Sequence, residues 1–513
     1  QYHKIKPEID KSLLEVVESG AFINGSEVQT FQKELEEYLD VKHVIPCANG
    51  TDALQIALMA LDLKPGDEVI TADFTFAATV EVIHLLGLKS VLVDVDYDNF
   101  TIDLEKLKAA ITPKTKAIIP VHLFGQSAQM EEIMKIAKEH NLYVIEDTAQ
   151  AIGSDFMDSK GDKQKTGTIG TIGTTSFFPS KNLGCYGDGG AIFTNDDALA
   201  HKIKGIVNHG MYKRYYHDEI GVNSRLDSIQ AAVLRKKLPF LNDYNQARQK
   251  AADYYDKAFK NHPHLLIPKR ENYSNHVFHQ YTLRVKNGKR NELQAFLAEH
   301  DIPAMIYYPV PLRKQKAYDT GDYNDTDFPN TDKLIDEVIS LPMHTELDEE
   351  QLKYITDKQY KINLSVVHCN FQLRGEDSDK DEEFIKDYCS KYDIPIFIKK
   401  FDTFQEKTNQ ESIQMVARRL RYQYFKDLIK EHDFFAIATA HHADDNIETF
   451  FINLLRGSGL QGLSGMKILS HHIFRPLLNE PKEDIIRYAT FHQIPWREDI
   501  SNQKNDYLRN TIR

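Results

Sequence analysis

The chain of 513 residues is long enough for two to four domains, and its 41% apolar and 27% charged residues are typical of globular proteins. Its net charge is −13, and residues 1–359 hold 41 Lys and Arg against 53 Asp and Glu. Neither part of the chain is therefore a basic domain, which excludes bulk electrostatic attraction to nucleic acid, and we expect no tRNA binding.

The four cysteines argue for a reducing compartment. Cys47, Cys185, Cys369 and Cys389 show no CxxC spacing, which disfavours a disulfide framework and a zinc site. No apolar run approaches the roughly 18 residues of a membrane span, and no signal peptide is recognisable. The sequence therefore predicts a cytoplasmic protein that has no bound metal and no membrane association.

Short β-rich runs alternate with amphipathic helical stretches from about residue 43 to residue 200. The predicted strands are 43–47, 68–71, 90–94, 117–121 and 143–146. The helical patterns between them include 52–61, 77–86 and 131–139. This alternation predicts an α/β domain with a mostly parallel sheet and helices on both faces, in which ligands bind at the carboxyl ends of the strands.

Three motifs are candidates for a binding site: two follow predicted strands, and the third lies on an apolar turn. ANGTD at 48–52 opens a helix whose free N–H groups suit a phosphate, although a capped turn without a ligand is the alternative. Asp147, at the end of a strand, either faces a ligand or caps a helix. Lys181 in SFFPSK stands between two phenylalanines and a glycine-rich segment, where partial burial would lower its pKa and help imine chemistry.

Residues 166–176 (TGTIGTIGTTS) have low complexity, which fits either a flexible linker or a loop and strand lining a site. Since they run straight into the apolar segment before Lys181, the second interpretation is favoured. Residues 241–357 change to a long helix, β segments at 280–285 and 304–308, and further helices, which predicts a small α+β domain. A second α/β pattern begins near residue 362.

The motifs of residues 1–355 together resemble the sugar-nucleotide aminotransferases of the DegT/StrS type, which depend on pyridoxal phosphate (PLP) and have PLP fold type I. The similarity rests on nine segments in order: GAFING (20–25), NGTDAL (49–54), DEVIT (67–71), TF (75–76), EDTAQ (146–150), SFFPSKN (176–182), GDGG (187–190), NHG (208–210) and GVNSRLDSIQAAVL (221–234). PLP catalysis requires an imine-forming lysine, a carboxylate for the pyridine nitrogen and a phosphate cradle.

The resemblance implies a role for each matching residue. Lys181 would be the Schiff-base lysine and proton carrier, and Asp147 would pair with the pyridinium nitrogen. The other implied contacts are Gln150 near the ring oxygen, Phe76 stacked on the ring, Gly50, Thr51 and Ser176 on the phosphate, Asn223 on the phosphate of a neighbouring subunit, and Tyr307 and Tyr308 on the substrate side. The implied reaction takes an amino group from L-glutamate to a nucleotide-linked keto sugar, with a 3-keto sugar favoured, in a homodimer with shared sites.

Residues 362–513 resemble a different family, the tRNA(Ile)-lysidine synthetases. The matching segments are VHCNFQLRGEDSDKD (367–381), ARRLRY (417–422), AHHADDNIET (440–449), LRGSGLQGLSGM (455–466) and DISNQKNDYLRNTIR (499–513). The resemblance makes Arg421, His442 and Asp445 candidates for a vestigial nucleotide site. The alternative for the HHxDD run, a metal cluster, is disfavoured because adjacent histidines point to different faces.

The departure from that family is equally specific. Its pyrophosphate-binding loop, SGGxDS, should lie just before residue 362, where this chain has YITDKQY (354–360) with no glycine or serine. The strand expected in the middle of the sheet and the family's further carboxy-terminal region are also expected to be missing, so that open edges would weaken the core. We therefore expect no lysidine synthesis from this incomplete Rossmann-like α/β segment.

Three hypotheses follow for the whole chain. The first is a working aminotransferase, with a PLP-binding large domain at 1–240, a small domain at 241–357 and an inert segment at 358–513. The second is a bifunctional fusion that also performs ATP-dependent lysidine synthesis on tRNA(Ile), against which the missing loop argues. The third is a joined fragment with no activity, which the complete set of amino-terminal motifs disfavours.

Overall fold

The computed structural model describes residues 1–356, 364–408, 411–432, 434–455, 465–470 and 472–497. The chain forms two compact units, Gln1–Gln359 and Tyr360–Arg513. In the part of the chain that is described, no helix is both long and apolar enough to cross a membrane.

Nine strands occupy the first 200 residues of the first unit. They are β1 (His43–Cys47), β2 (Glu68–Ala72), β3 (Lys89–Val93), β4 (Thr115–Ile119), β5 (Tyr143–Asp147), β6 (Asp155–Met157), β7 (Lys163–Lys165), β8 (Ile172–Ser176) and β9 (Gly190–Thr194). Seven of them form one sheet in the order β1-β9-β8-β5-β4-β2-β3, while β6 pairs with β7. Strand β9 runs in the opposite direction to the other six strands of the sheet, so the predicted mostly parallel sheet is confirmed.

Helices cover both faces of this sheet, because successive strand residues point to opposite sides. Val69 packs into one apolar core and Ile70 into the other, and Ile119 and Ile118 repeat that division on the neighbouring strand. The helices are α1 (Lys6–Ser19), α2 (Ser26–Leu39), α3 (Gly50–Ala60), α4 (Ala78–Leu85), α5 (Leu104–Ala109), α6 (Met130–His140), α7 (Asp197–Ile206) and α8 (Ser228–Lys237).

Two antiparallel assemblies follow in the first unit. The elements are β10 (Met211–Lys213), β11 (Tyr216–His217), α9 (Leu241–Phe259), β12 (Leu265–Leu266), β13 (Tyr281–Val285), α10 (Arg290–Glu299), α11 (Pro329–Glu337), β14 (Val338–Leu341) and α12 (Glu349–Thr356). Strands β10 and β11 form a hairpin, and β12-β13-β14 form a sheet. Tyr255, Tyr281 and Ile339 centre an apolar core between this sheet and its helices.

The β segment predicted at 304–308 is not a strand. Only Met305 pairs with the edge of β14, donating to Ser340 O at 3.1 Å and accepting from its N–H at 2.7 Å. Pro303 and Pro309 flank the segment and have no N–H to extend the ladder. The chain therefore leaves the sheet after one pair and carries Tyr308 elsewhere.

The second unit is α/β, as predicted. Its elements are β15 (Val366–Asn370), α13 (Glu376–Lys391), β16 (Ile396–Lys400), α14 (Ile413–His432), β17 (Ile437–Ala438), α15 (Ala443–Leu455), β18 (Leu469–Ser470), β19 (Ile473–Phe474) and α16 (Lys482–Phe491). Strands β15 and β16 are parallel, and β17-β19-β18 form a separate small sheet. Of YITDKQY, residues 354–356 end α12, and the rest of the expected loop position lies outside the described residues.

Candidate active site

Lys181 and Asp147 come from neighbouring positions at one edge of the large sheet. Asp147 closes β5, and Lys181 lies in the loop between β8 and β9, where its N–H donates to Phe178 O at 2.8 Å. Burial lowers the pKa of the Lys181 amine to about 8, while the nearby Asp147 charge acts in the opposite direction. An amine with this pKa is partly neutral near physiological pH and can act as a nucleophile.

Two donors orient the Asp147 carboxylate, which is buried. Thr79 Oγ1 donates to Oδ2 at 3.0 Å, and the backbone N–H of Ala149 donates to Oδ1 at 3.1 Å. Thr79 lies at the start of α4, three residues after Phe76, and the sequence analysis missed it. A threonine near a helix start carries no signal for a partner 68 positions away.

Glu146 explains the low-complexity segment. Its side chain is fully buried and points away from the face used by Asp147, because neighbouring strand residues alternate. Its oxygens accept from the backbone N–H groups of Gly167 at 2.8 Å, Ile169 at 2.7 Å and Gly170 at 2.6 Å. The segment is therefore an ordered loop that wraps a carboxylate, and the linker alternative is wrong.

His122 supplies the fourth hydrogen bond to that carboxylate. Its Nδ1 accepts from the N–H of Ala128 at 2.9 Å, so in the neutral ring the proton resides on Nε2. Nε2 lies 3.0 Å from Glu146 Oε2 and donates to it. The backbone N–H of His122 in turn donates to Asp147 O at 3.0 Å, so this network also fixes the end of β5.

The amino end of α3 lies against the end of β8. A Cβ on Gly50 would come within 2.7 Å of Ser176 Cβ, so only glycine fits at this contact. Asn49 Oδ1 caps the helix by accepting from Asp52 N at 2.8 Å. The arrangement places the amino end of α3, with Gly50 and Thr51, beside Ser176 at the end of β8, and the backbone N–H groups of such a helix end suit a phosphate.

An aromatic group, formed by Phe76, Tyr307 and Tyr308, lies near this edge of the sheet. Phe76 is 57% exposed, which is unusual for a phenylalanine in a large domain, and its ring centroid is 6.3 Å from that of Tyr308. The Tyr307 and Tyr308 rings are 5.9 Å apart. Gln150 joins this group through Nε2, which donates to the Tyr308 hydroxyl at 3.2 Å, and burial raises the pKa of that hydroxyl.

The sequence analysis missed the buried His279 and assigned no role to the buried Thr75. His279 has a pKa well below its usual value because of burial and the positive charges of Lys181 and Arg248. Among the residues that the structure describes, neither His279 Nδ1 nor Thr75 Oγ1 has a hydrogen-bond partner. Buried polar atoms without partners are rare, and they mark positions where a bound molecule can supply the missing bond.

The chemistry of these residues fits PLP. The edge holds an amine of lowered pKa, an oriented carboxylate, an exposed aromatic ring and a helix terminus where glycine is required. Asn223 is the exception within the chain. It is exposed, its backbone bridges Asn208, and in the described residues no hydrogen bond links it to the Lys181 site. Its role in a neighbouring subunit stays a prediction.

The second unit brings two of its three candidate residues together. His442 Nε2 lies 3.4 Å from Asp445 Oδ2 at the start of α15, whereas the Arg421 guanidinium lies 5.2 Å from the centre of the Phe371 ring. No hydrogen bond or ion pair that the structure shows within 364–497, gaps excluded, joins Arg421 to the other two. Nor do the described residues contain a group of three or more His, Cys, Asp or Glu placed to hold a metal ion.

Comparison with known families divides the chain at the same region. Residues 3–359 match the DegT/DnrJ/EryC1/StrS aminotransferase family. Residues 347–513 match the PP-loop domain. The chain is 48% identical over 360 residues to a "Pleiotropic regulatory protein" of Geobacillus stearothermophilus, which covers 70% of this chain and 95% of the relative. It is 46% identical over 355 residues to the UDP-2-acetamido-2-deoxy-3-oxo-D-glucuronate aminotransferase of Pseudomonas aeruginosa, covering 69% and 96%.

Solved structures give the same result. A DegT DnrJ EryC1 StrS aminotransferase from Brucella abortus superimposes with a TM-score of 0.66 at 41% identity, over 70% of this chain and 95% of that one. The protein NtdA from Bacillus subtilis, crystallised with bound cofactor PMP, superimposes with a TM-score of 0.64 at 32% identity, over 69% and 81%.

Proposed function

Because the chain belongs to the DegT/DnrJ/EryC1/StrS aminotransferase family, a family of PLP-dependent enzymes, we propose that residues 1–357 transfer an amino group from L-glutamate to a keto sugar on a nucleotide diphosphate. The observation that carries this proposal is the buried Lys181 amine, whose pKa is about 8. An oriented carboxylate, that of Asp147, lies near this amine. The proposal assigns 1–240 to the PLP-binding large domain and 241–357 to the small domain.

In this proposal Lys181 and Asp147 carry the chemistry. PLP, when bound, withdraws electrons from the carbon that bears the migrating amino group. Asp147 keeps a proton on the ring nitrogen, and the bonds from Thr79 and Ala149 hold its oxygens in place. In the glutamate half-reaction, Lys181 Nζ would take the proton from the α-carbon of the donor and pass it to the cofactor. In the sugar half-reaction it would carry a proton the other way, from the cofactor to the acceptor carbon, and a pKa near the working pH suits both transfers.

Other side chains bind and orient. Gly50, Thr51 and Ser176 hold the phosphate at the start of α3, where the helix dipole favours negative charge. Phe76 covers one face of the ring, and Gln150 lies near the ring oxygen while it holds Tyr308. The closely fitted contact between Gly50 and Ser176 supports this placement.

The acceptor that we propose is a UDP-linked sugar with a 3-oxo group. The relative from Pseudomonas aeruginosa is named for such a substrate, and a relative from Acidithiobacillus ferrooxidans, a UDP-N-acetyl-3-dehydro-alpha-D-glucosamine 3-aminotransferase by name, is 42% identical over 351 residues. Tyr307 and Tyr308, at the mouth of the site, would contact this sugar.

A spectroscopic experiment tests the activity. The purified chain should show a visible band of bound PLP that shifts on addition of L-glutamate and returns on addition of UDP-2-acetamido-2-deoxy-3-oxo-D-glucuronate. Lys181→Ala should lose the lysine-linked band. Lys237→Met is the matched control, since Lys237 is also buried with its pKa lowered to about 8 yet donates to Gly184 O at 2.6 Å. Wild-type protein that takes up no PLP would refute the proposal.

We also propose a homodimer, in which Asn223 of each subunit reaches the phosphate site of the other. The exposed position of Asn223 beside its own chain's Asn208 supports this role. All four cysteines are free, which supports a reducing cytoplasm as the site of the reaction.

For residues 358–513 we propose no lysidine synthesis. The alternative is a bifunctional fusion, and the match of 347–513 to the PP-loop domain favours it. Against it, the sequence contains no SGGxDS segment to cradle the phosphates of ATP. Equilibrium binding of labelled ATP to the full chain decides between the two. Tight binding that His442→Ala weakens would support the fusion, and no binding is expected.

A further inference from the structure

Arg313 is a buried arginine that the proposed mechanism does not use. Only 3% of its surface is exposed, and it lies in the turn Leu312–Lys314, five residues after Tyr308. A guanidinium keeps its charge at any physiological pH, so its burial requires fixed partners.

The principal partner is Asp73, which directly follows β2 and is fully buried. The N–H of Arg313 donates to Asp73 Oδ1 at 2.8 Å, and Nη1 of the same arginine donates to Oδ2. The N–H of Leu312 donates to the backbone oxygen of Asp73 at 3.1 Å. Three hydrogen bonds thus join two segments that are 240 positions apart in sequence.

The guanidinium is held on two further sides. Its Nη2 donates to Asp332 in α11, and the centre of the Phe328 ring lies 4.4 Å from its central carbon. A planar group bonded along two edges and stacked on a ring cannot rotate, and a lysine offers neither the second edge nor the plane.

We call the Arg313–Asp73 pair the clamp. It lies next to the aromatic group formed by Phe76, Tyr307 and Tyr308. Asp73 precedes Phe76 by three residues, and Phe74 between them has its ring 6.0 Å from that of Tyr308. The Phe76 and Tyr308 rings, 6.3 Å apart, are therefore carried by the two segments that Arg313 joins. Among the residues that the structure describes, the Arg313–Asp73 ion pair is the charged contact between the segment after Tyr308 and the end of β2.

We propose that Arg313 is a positioning residue. It fixes the Tyr307–Tyr308 segment, which we call the wall, relative to Phe76, and so determines the shape of the part of the site that binds the acceptor. The inference rests on the proposed function for the identity of that side. L-glutamate is small and reacts close to Lys181, whereas a sugar nucleotide needs the wall for its orientation. Loss of the clamp should therefore impair the sugar half-reaction and leave the glutamate half-reaction nearly intact.

The test compares Arg313→Gln and Arg313→Lys with Arg284→Lys in the PLP-loaded full chain. Arg284 is a matched control, because it is equally buried but pairs with Asp98 and not with Asp73. We expect Arg313→Gln to raise KM for the UDP-linked 3-oxo sugar about tenfold or more, in line with misplacement of a binding wall, with less than about a threefold change in the glutamate half-reaction. Arg313→Lys, which keeps the charge, should restore part of the affinity.

Hydrogen exchange measured by mass spectrometry gives a second result that needs no acceptor. Arg313→Gln should speed exchange in both 72–78 and 303–313, and Arg284→Lys should not. Unchanged exchange in these segments, or equal losses in both half-reactions, overturns the inference. Wild-type chain that exchanges amino groups with glutamate but not with the sugar overturns the proposed acceptor, and the exchange result then decides alone on the clamp.

Discussion

Thr79 Oγ1, near the start of α4, donates a hydrogen bond of 3.0 Å to Oδ2 of Asp147. The start of this helix therefore orients the carboxylate that is expected to face the cofactor. In the described part of the chain, the backbone N–H of Ala149 donates the second hydrogen bond to this carboxylate, at 3.1 Å to Oδ1.

Thr79→Val should weaken PLP binding. The substitution keeps the shape of the side chain but removes the donor, and loss of one hydrogen bond to a charged group, at about 1.5 kcal/mol or more, corresponds to about a tenfold or higher Kd. Fluorescence titration of the apoenzyme with PLP measures it. Thr101→Val is the control, since Thr101 is buried and bonds Asn99 instead. Equal affinity in Thr79→Val and wild type would contradict the assigned role.

The rate of PLP uptake should rise with pH and reach half its maximum near pH 8. Only the neutral Lys181 amine attacks, and burial brings its pKa down to about 8, so the neutral form appears at lower pH than for an exposed lysine. Asp147 raises this pKa, hence Asp147→Asn should move the midpoint to lower pH. Stopped-flow absorbance over a pH series checks both, and a midpoint near 10 would show that the amine is not buried.

Glu146→Gln should destabilise the first unit. The amide would turn a donor towards the N–H groups of Gly167 or Gly170, leaving buried donors without acceptors, at a cost of about 2–3 kcal/mol. Urea unfolding followed by fluorescence gives the free energy of unfolding. Glu105→Gln is the control, because Glu105 is exposed and its ion pair is with Lys108, on the same helix α5. Similar values for both variants would rule out the wrapped carboxylate.

Gly50→Ala should lower stability by about 1–3 kcal/mol, as expected for an overpacked contact. The added Cβ would come within 2.7 Å of Ser176 Cβ, which belongs to a strand and cannot move aside easily. Adding Ser176→Gly removes the obstructing atom and should restore most of the unfolding free energy. Thermal or urea denaturation of the two variants measures this rescue, and its absence would place the strain elsewhere.

Mixing two inactive variants tests the shared site. If Asn223 serves the neighbouring subunit, Lys181→Ala and Asn223→Ala chains that exchange subunits form dimers with one intact site. Random exchange should then restore about a quarter of the wild-type sites, since half of the dimers are mixed and each has one complete site. Activity after co-refolding measures the yield. No recovery would mean that Asn223 acts within its own chain.

Strands and helices of the large domain could be predicted because their apolar periodicity is local. The helix predicted at 131–139 matches α6 to within one residue at each end, because Met130, Ile133 and Ile136 form a buried stripe. The strand predicted at 304–308 was wrong, because only Met305 pairs with Ser340 and the flanking Pro303 and Pro309 have no N–H to extend the pairing. Periodicity reports which face is apolar and does not report where the chain leaves a sheet.

The residues of the site fall into two classes. Motifs brought Gly50 and Lys181 to attention, because glycine and lysine are informative beside a strand. Thr79, His122 and Arg313 were not found, since each acts through a partner distant in sequence, and the Arg313 partner is 240 positions away. One sequence contains no record of such pairings, and only the packed structure reveals them.

Strands β5 and β8 are neighbours in the sheet, and this pairing fixes the two segments that carry Asp147 and Lys181 relative to each other. Asp147 ends one strand and the loop that carries Lys181 follows the other, so the sheet holds the two segments side by side, with their strands about 4.8 Å apart where they pair. The Tyr307–Tyr308 wall, by contrast, belongs to a segment outside that sheet. Substitutions in the wall can therefore adapt the proposed acceptor side to a different sugar, while the β5–β8 pairing that holds Asp147 and Lys181 stays unchanged.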